Sequence, residues 1–575
     1  MCGILAQCGG KINKKRFILA RDTMEKRGPD DAGVFYDEKN SIALGHRRLS
    51  IIDLSSAGKQ PMRSADGRYI IVFNGEIFNF VELKKELSDY VFRTDSDTEV
   101  LLAAYINWGP DCLKKLNGQF AFAIYDTRDQ ELFFARDHFG IKPLYYAIHN
   151  GGLILASEIK ALLKLGFPAA PNDKIIYEFL RYSWYDHSSE TFFEGIKRLL
   201  PGQYAIWRNN SLSVKTYWDL AMMQNREGEY DHLSEGEAIN LFKALMSDAI
   251  RLQFRSDVPV GMTMSSGLDS MSMLFFANSV VGGDIRLYSG GLADPKYDET
   301  RELKSWLSRR QNKYLTTSVL APDKIWPLAK KLLKIQDEPY GGFSTINYFN
   351  LYDMTGIPGV TVLLEGQGAD ELLGGYRYYK NSQQRNNLSQ DMTKEGAPVA
   401  IPKAMVNKFG KHPLIFPAPF KSALLNMQYK DLRYIKMPRV LRFNDHISLA
   451  YSKELRVPYL DHRLAEFCFF LPKKFKIQGD SQKVLLRKAM AGIVPPPSKN
   501  KQKVFFGAFQ TDWFRKYFQK EASSFLNSKS FQSRPYWEAE VAKKMAERFF
   551  HGEGENSFFL WQWINLEMWL REFID

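Results

Sequence analysis

Between residues 201 and 235 the chain changes character, and that break sets how many units it can fold into. Before it lie short strand-like runs and turns. Tyr69-Ile70-Ile71-Val72-Phe73 reads as a buried strand that stops at Asn74-Gly75-Glu76. Phe120-Ala121-Phe122-Ala123-Ile124-Tyr125 and Leu132-Phe133-Phe134-Ala135 flank a polar turn, as a hairpin does. Between them, Asp97 to Trp108 carries apolar residues at helical spacing. The break opens at Pro201-Gly202 and stays polar through Arg208-Asn209-Asn210-Ser211 and Gln224-Asn225-Arg226-Glu227-Gly228-Glu229. Ser234 and Glu237 then form a capping box ahead of Ala238, Leu241, Phe242, Leu245, Ala249 and Leu252. At 575 residues the chain is too long for one core. The reading is a first domain over residues 2–205, a linker over 206–233 and a second domain over 234–575. Strands alternate with helices throughout, so the fold class is α/β, with a layered first domain.

Charge and composition narrow the function less. Apolar residues make up 45% and charged ones 25%, ordinary for a soluble globular chain, and no run approaches a membrane span. The first residues place Gln7, Lys11, Lys14, Lys15 and Arg16 where a signal peptide needs an apolar stretch. Cys2, Cys8, Cys112 and Cys468 form neither a disulfide framework nor a zinc pattern, so a cytoplasmic, reducing setting is expected. The formal charge of +13 suggests anionic ligands. Basic residues are scattered, with clusters such as Lys499-Asn500-Lys501-Gln502-Lys503, which argues against nucleic acid as the main partner.

The chain opens Met1-Cys2-Gly3-Ile4. Removal of Met1 would leave Cys2 with a thiol and a free α-amine on one residue. An α-amine titrates near ~8, so its neutral fraction can take the thiol proton directly or through water. Downstream, an Asn side-chain amide and the following glycine N–H can both point at one oxygen, the arrangement of an oxyanion hole; Asn74-Gly75 offers that pair.

Met1-Cys2-Gly3-Ile4, Arg27-Gly28-Pro29-Asp30, Arg48-Leu49-Ser50-Ile51-Ile52-Asp53, Asn74-Gly75-Glu76 and Arg136-Asp137-His138-Phe139-Gly140-Ile141-Lys142-Pro143-Leu144-Tyr145 resemble, in order, the N-terminal-nucleophile glutaminase domain of class II glutamine amidotransferases. The resemblance implies that Cys2 attacks the glutamine amide and that Asn74 and Gly75 stabilise the oxyanion. It implies that Arg48 holds the glutamine α-carboxylate, with Leu49, Ser50, Ile51 and Ile52 beside it, and that Glu76 and Asp97 hold the α-ammonium.

In the second half, the apolar strand Val258-Pro259-Val260-Gly261-Met262-Thr263-Met264 runs into Ser265-Ser266-Gly267-Leu268-Asp269-Ser270 and a helix. Such a turn presents backbone N–H groups and a helix N-terminus to a phosphate. No Walker lysine follows. The loop resembles the pyrophosphate loop Ser-Gly-Gly-x-Asp-Ser, with Ser266 in place of a glycine. A second strand, Val360-Thr361-Val362-Leu363-Leu364, leads to Glu365-Gly366-Gln367-Gly368-Ala369-Asp370-Glu371-Leu372-Leu373-Gly374-Gly375-Tyr376, where acids at a glycine-rich loop suit magnesium on a polyphosphate. With Glu454-Leu455-Arg456-Val457-Pro458-Tyr459-Leu460-Asp461 and Lys483-Val484-Leu485-Leu486-Arg487-Lys488-Ala489, it resembles the synthetase domain of asparagine synthetases.

That resemblance implies a parallel-sheet ATP pyrophosphatase (PP-loop) domain that adenylates a carboxylate and lets ammonia displace AMP. Ser265, Gly267, Asp269 and Ser270 would hold pyrophosphate. Met264, Gly290, Glu365 and Gly366 would line the ATP site, Lys483 would neutralise the leaving pyrophosphate, and Asp269 and Asp370 would bind Mg2+. The partners implied are glutamine, ATP and an acceptor carboxylate, with no membrane; a homodimer is compatible. Two departures bear on the acceptor. Residues 337–347 lack the Thr-Thr-Ile-Arg of asparagine-making enzymes, and Gln367 stands in place of a glutamate. Aspartate is the expected acceptor; a sugar uronic acid is the alternative, with a carboxylate-adenylating cyclase or an inactive relative behind it. Residues beyond about 510, rich in tryptophan, carry no diagnostic motif.

Overall fold

Alternating side chains build the first domain. The computed structural model describes residues 2–282, 284–308, 314–381, 400–410, 415–493, 506–553 and 556–575; the basic cluster at 499–503 lies outside them. In the strand Gly3–Cys8, Ile4, Ala6 and Cys8 point to one face and Leu5 to the other. The strand sits inside a six-stranded sheet ordered Lys197–Arg198, Tyr145–His149, Gly152–Ala156, Gly3–Cys8, Ile42–Arg48, Asp31–Asp37. A second six-stranded sheet runs Ser211–Thr216, Gln203–Arg208, Glu131–Arg136, Gly118–Asp126, Tyr69–Ile77, Met62–Arg63. The expected hairpin is present, Gly118–Asp126 pairing antiparallel with Glu131–Arg136. The two sheets pack face to face through Ile4, Ala6, Leu44, Ile70, Val72, Ala123 and Phe134. The outer face of the second sheet is covered by the helix Asp97–Trp108, and that of the first by Lys14–Asp22, Ile159–Leu165 and Asp173–Tyr182. The result is four layers, helix on sheet on sheet on helix.

One local reading changes. Asn74-Gly75-Glu76 is no turn: the strand continues to Ile77, and these residues pair with Ala121, Phe120 and Gln119. Within residues 206–233, Ser211–Thr216 is the edge strand of the second sheet, and the chain then crosses to the helix Glu235–Gln253. That helix starts on the expected capping box, the Glu237 N–H donating to Ser234 Oγ at 3.3 Å and the Ser234 N–H to Glu237 Oε2 at 2.9 Å.

The second domain is built on a five-stranded, all-parallel sheet ordered Leu315–Leu320, Arg286–Leu292, Val260–Thr263, Val362–Leu364, Glu454–Arg456. Val362 and Leu364 face one core and Leu363 the other, so the sheet is buried on both sides, as parallel sheets require. The chain moves outward from Val260–Thr263 in one direction and then returns to lay Val362–Leu364 on its other side. The loops leaving these two neighbouring strands therefore diverge, which opens a crevice at their carboxyl ends, where ligands bind in open α/β sheets.

The domains share a buried ionic seam. Arg198 lies 3.1 Å from Asp186 and 3.0 Å from Glu338, while Arg442 lies 2.9 Å from Asp186. Lys160 reaches Asp337 at 3.5 Å, Gln119 Nε2 donates to the Leu455 carbonyl at 2.8 Å and Asn117 Nδ2 to Asp461 at 2.9 Å. The tryptophan-rich end is structural. In the helix Phe558–Phe573, the indoles of Trp561 and Trp569 donate to the carbonyls of Gly341 and Asp337, each at 2.9 Å, and Asn565 Oδ1 accepts the Tyr340 N–H at 2.9 Å. Truncation of the fully buried Trp569 to Ala should lower unfolding free energy by about 3–5 kcal/mol. Trp569→Phe, which loses chiefly the hydrogen bond, should cost about 1 kcal/mol, both read from urea midpoints.

Candidate active site

Cys2 immediately precedes the strand Gly3–Cys8, so the thiol sits at the end of a buried sheet. Cys2 is 7% exposed. Its nitrogen lies 3.0 Å from Asn74 Oδ1, and its carbonyl accepts from Arg27 Nε at 3.2 Å. Burial pushes the thiol pKa up, while the Leu49 N–H and the Arg48 charge oppose that rise. Cys8, Cys112 and Cys468 are also free and buried, their thiols pushed up to about 12 by desolvation. Asn74 is fully buried, and its Nδ2 makes only a long 3.5 Å contact to Ser157 Oγ. Gly75 holds φ +153°, and a Cβ there would come within 2.1 Å of the Gln119 carbonyl. No other residue fits that approach.

Arg48 ends the strand Ile42–Arg48, and its guanidinium donates to the carbonyls of Ser55 (2.7 Å), Ile52 (3.5 Å) and Asp53. Gly58 makes room for it: a Cβ there would lie 2.1 Å from Arg48 Nη2. A positive group held only by carbonyls suits a carboxylate ligand. Leu49 and Ile51 are buried, with Ser50 and Ile52 half-buried, so this segment forms a wall beside Arg48. Opposite in sign are Glu76 and Asp97. Both are buried, and among the described residues Glu76 Oε2 has no hydrogen-bond partner. Desolvation, then the charges of Asp97 and Glu454, push Glu76 well above the usual carboxylate range. Burial lifts Asp97 to about 6, against the Ile77 N–H that donates to it at 2.9 Å. Two buried carboxyls short of cations form a receptor for an ammonium group.

At the crevice of the parallel sheet, Met264 follows the strand Val260–Thr263 and Gly267 caps the helix Leu268–Val281. Ser265 and Ser270 close the loop on itself, their hydroxyls 3.1 Å apart, with the Gly267 N–H donating to Ser265 Oγ at 3.2 Å. Ser266 keeps a negative φ and donates to Glu299 at 3.1 Å, so serine is accommodated without the left-handed backbone that would demand glycine. Asp269 and Asp370, from the two diverging loops, both meet Lys483 Nζ at 2.6 Å. Burial works against that ammonium, but the two acids outweigh it and raise its pKa. Gly375 keeps this corner open, since a Cβ there would fall 1.9 Å from Asp370 Oδ1. Gly366 packs against Asp269, and Gly290 faces Asn347. Glu365 is already engaged, accepting from Thr263 Oγ1 at 2.9 Å, Asn444 Nδ2 at 3.0 Å and Tyr348.

The structure thus gathers Cys2, Arg48, Asn74, Gly75, Glu76 and Asp97 in one place and Met264, Ser265, Gly267, Asp269, Ser270, Glu365, Gly366, Asp370 and Lys483 in another. Sequence reasoning missed the groups between them: Arg27, Glu158, Lys142, Asp445 and Glu454, all buried and charged. Arg27, Lys142 and Glu454 lie within the motifs, but the Asp445 that pairs with Arg27 and Lys142 is more than three hundred residues away and carries no local signal.

Asp97 carries a folded pKa of about 6 against an ordinary 3.8, so native protein binds the extra proton. The stability this provides is complete below about 3.8 and is lost as pH rises through about 6. Asp97→Asn should therefore stabilise the empty protein at pH 7.5 by on the order of 1–3 kcal/mol, the gain vanishing below pH ~4 in thermal melts. The same variant should bind glutamine more weakly.

Two family models match successive stretches of the chain. Residues 1–218 match a family model described as a glutamine amidotransferase domain, and residues 241–571 one described as asparagine synthase. The chain is 30% identical to asparagine synthetase [glutamine-hydrolyzing] 1 of Bacillus subtilis (strain 168), covering 99% of this chain and 97% of that one. It is 29% identical to asparagine synthetase [glutamine-hydrolyzing] 3 of the same organism, over 86% and 85% of the two chains. A putative asparagine synthetase of Mycobacterium tuberculosis (strain ATCC 25618 / H37Rv) is 28% identical over 100% and 98%.

Proposed function

The chain belongs to the asparagine synthase family and is a glutamine-hydrolysing, ATP-using ligase, and we propose that it converts aspartate to asparagine by two reactions at separate sites. At the first, Cys2 attacks the glutamine side-chain amide. Its α-amine, freed by loss of Met1 and steered by Asn74 Oδ1, takes the thiol proton and returns it to the leaving ammonia. Asn74 Nδ2 and the Gly75 N–H stabilise the oxyanion, and water then releases glutamate from the thioester. Arg48 pairs with the substrate carboxylate, and Glu76 and Asp97 with its ammonium.

At the second site the acceptor carboxylate attacks the α-phosphorus of ATP, giving an acyl-adenylate and pyrophosphate. Ammonia then displaces AMP and forms the amide. Ser265, Gly267 and Ser270 bind the pyrophosphate, and Lys483 balances its growing charge. Met264, Gly290 and Gly366 form the nucleotide wall, with Glu365 bracing it. Among the described residues no three His, Cys, Asp or Glu side chains converge as a metal cage. Asp269 and Asp370 fit a magnesium ion that takes its other ligands from phosphate and water, and it would screen the polyphosphate charge. The observation that carries the two-site reading is the pairing of a buried Cys2, its carbonyl held by the seam residue Arg27, with the Asp269–Lys483–Asp370 corner in the same chain. Ammonia crossing the seam would escape protonation in bulk water.

The names of the relatives support aspartate as acceptor. A second reading, another carboxylate such as a sugar uronic acid, is favoured by Asn347. It stands where asparagine-making enzymes are expected to carry arginine, lies beside Gly290 and has a buried Oδ1 without a partner.

Cys2→Ala should abolish glutamine-driven AMP formation and leave the ammonia-driven reaction within about two-fold, because the synthetase site is separate. Pyrophosphate release should appear with aspartate, glutamine and magnesium-ATP and yield asparagine. Silence with aspartate beside an intact glutaminase, and release with a uronic acid, would transfer the assignment to the second reading.

A further inference from the structure

Resting on the two-site reading above, we propose that Asp445 is a positioning residue through which the ATP loop sets the orientation of Cys2. Arg27 is 1% exposed and carries the link on the glutaminase side. Its Nε donates to the Cys2 carbonyl at 3.2 Å, while Nη1 lies 3.0 Å from Glu158 Oε1 and 2.9 Å from Asp445 Oδ2. Of these anchors, Asp445 alone belongs to the second domain, on the helix Met437–Leu449. The neighbouring residue on that helix, Asn444, donates to Glu365 Oε2 at 3.0 Å. Glu365 opens the Gly366 loop that packs on Asp269, and its other oxygen accepts from Thr263, two residues before Ser265. Every step from Cys2 to the phosphate loop is thus a direct contact or a separation of one or two residues along the chain.

A chain of contacts transmits nothing unless one link has two discrete arrangements. Asp445 has them. Its Oδ2 is paired with Arg27, and its Oδ1 lies 3.9 Å from Lys142 Nζ, a second buried cation that also reaches the Leu455 carbonyl at 3.3 Å. Arg27 can yield, because Glu158 already shares its charge and its Nη2 is buried without a partner. A small shift of Asn444, as nucleotide displaces Glu365, would move Asp445 from Arg27 toward Lys142. Arg27 would then settle on Glu158 and change its hold on the Cys2 carbonyl. In a low-dielectric seam such a change of partner is energetically large for a small movement. Ammonia release would in this way follow loading of the second site.

The test needs no acceptor. Alkylation of Cys2 by iodoacetamide, followed by mass spectrometry of the N-terminal peptide, should change on the order of five-fold on adding magnesium-ATP to the full chain. Asp445→Asn should abolish that response while leaving magnesium-ATP affinity, measured without glutamine, within about two-fold; Asp445→Glu should restore most of it. An unresponsive wild type, or an undiminished response in Asp445→Asn, overturns the proposal. So does loss of magnesium-ATP binding in step with the response, which would make Asp445 merely structural. Failure of the functional reading looks different: the nucleotide response persists, yet no acceptor supports AMP formation.

Discussion

The arrangement of both sites depends on charge buried between the domains. Arg198 and Arg442 are almost wholly enclosed, with Asp186 and Glu338 as their counter-ions, two groups from each side of the seam. A buried ion pair contributes little net stability, but separating its members strands a charge in low dielectric and is strongly unfavourable. The seam therefore acts less as glue than as a key: one relative orientation satisfies all the charges together. Cys2, whose carbonyl is held by Arg27, and the strand Glu454–Arg456, whose Leu455 carbonyl receives Gln119, are placed by that orientation.

Much of the layout was legible in the sequence because it is local. The capping box at Ser234 and Glu237, the hairpin, the helix Asp97–Trp108 and the strand-to-loop-to-helix turn at Ser265 each depend on a few neighbouring residues. The residues proposed for glutamine and ATP were picked out through motifs of the same kind. The strand was ended too early, at Asn74, because Asn-Gly is common where strands stop; here the glycine continues a strand, where the neighbouring carbonyl allows no side chain. The edge strand Ser211–Thr216 escaped notice because its exposed, polar sequence is that of a linker. The ionic seam was invisible for a different reason. Arg27 with Asp445, or Lys160 with Asp337, are matched in space alone, and nothing near either residue announces its partner.

Ser266 shows how geometry resolves what a motif leaves open. Replacing a glycine threatens a loop only where the backbone needs a positive φ or a neighbour presses close. Ser266 meets neither condition, and its hydroxyl gains Glu299 as a partner. Residues 337–347 teach the converse. Asp337 and Glu338 lie inside the seam, and Asn347, where arginine was expected, reaches the neighbourhood of Gly290.

The helix Phe558–Phe573 clasps the carbonyls of Asp337 and Gly341 and reaches back to the first domain, Gln562 Nε2 donating to the Phe179 carbonyl at 2.7 Å. A growing chain emerges from the ribosome N-terminus first, and domains tend to fold in that order. The glutaminase layers can thus assemble long before this helix exists, whereas the segment it clasps cannot be secured until residues 558–573 have been made. Translation itself then imposes a sequence on maturation, in which the half that liberates ammonia is shaped early and the half that consumes it is locked last.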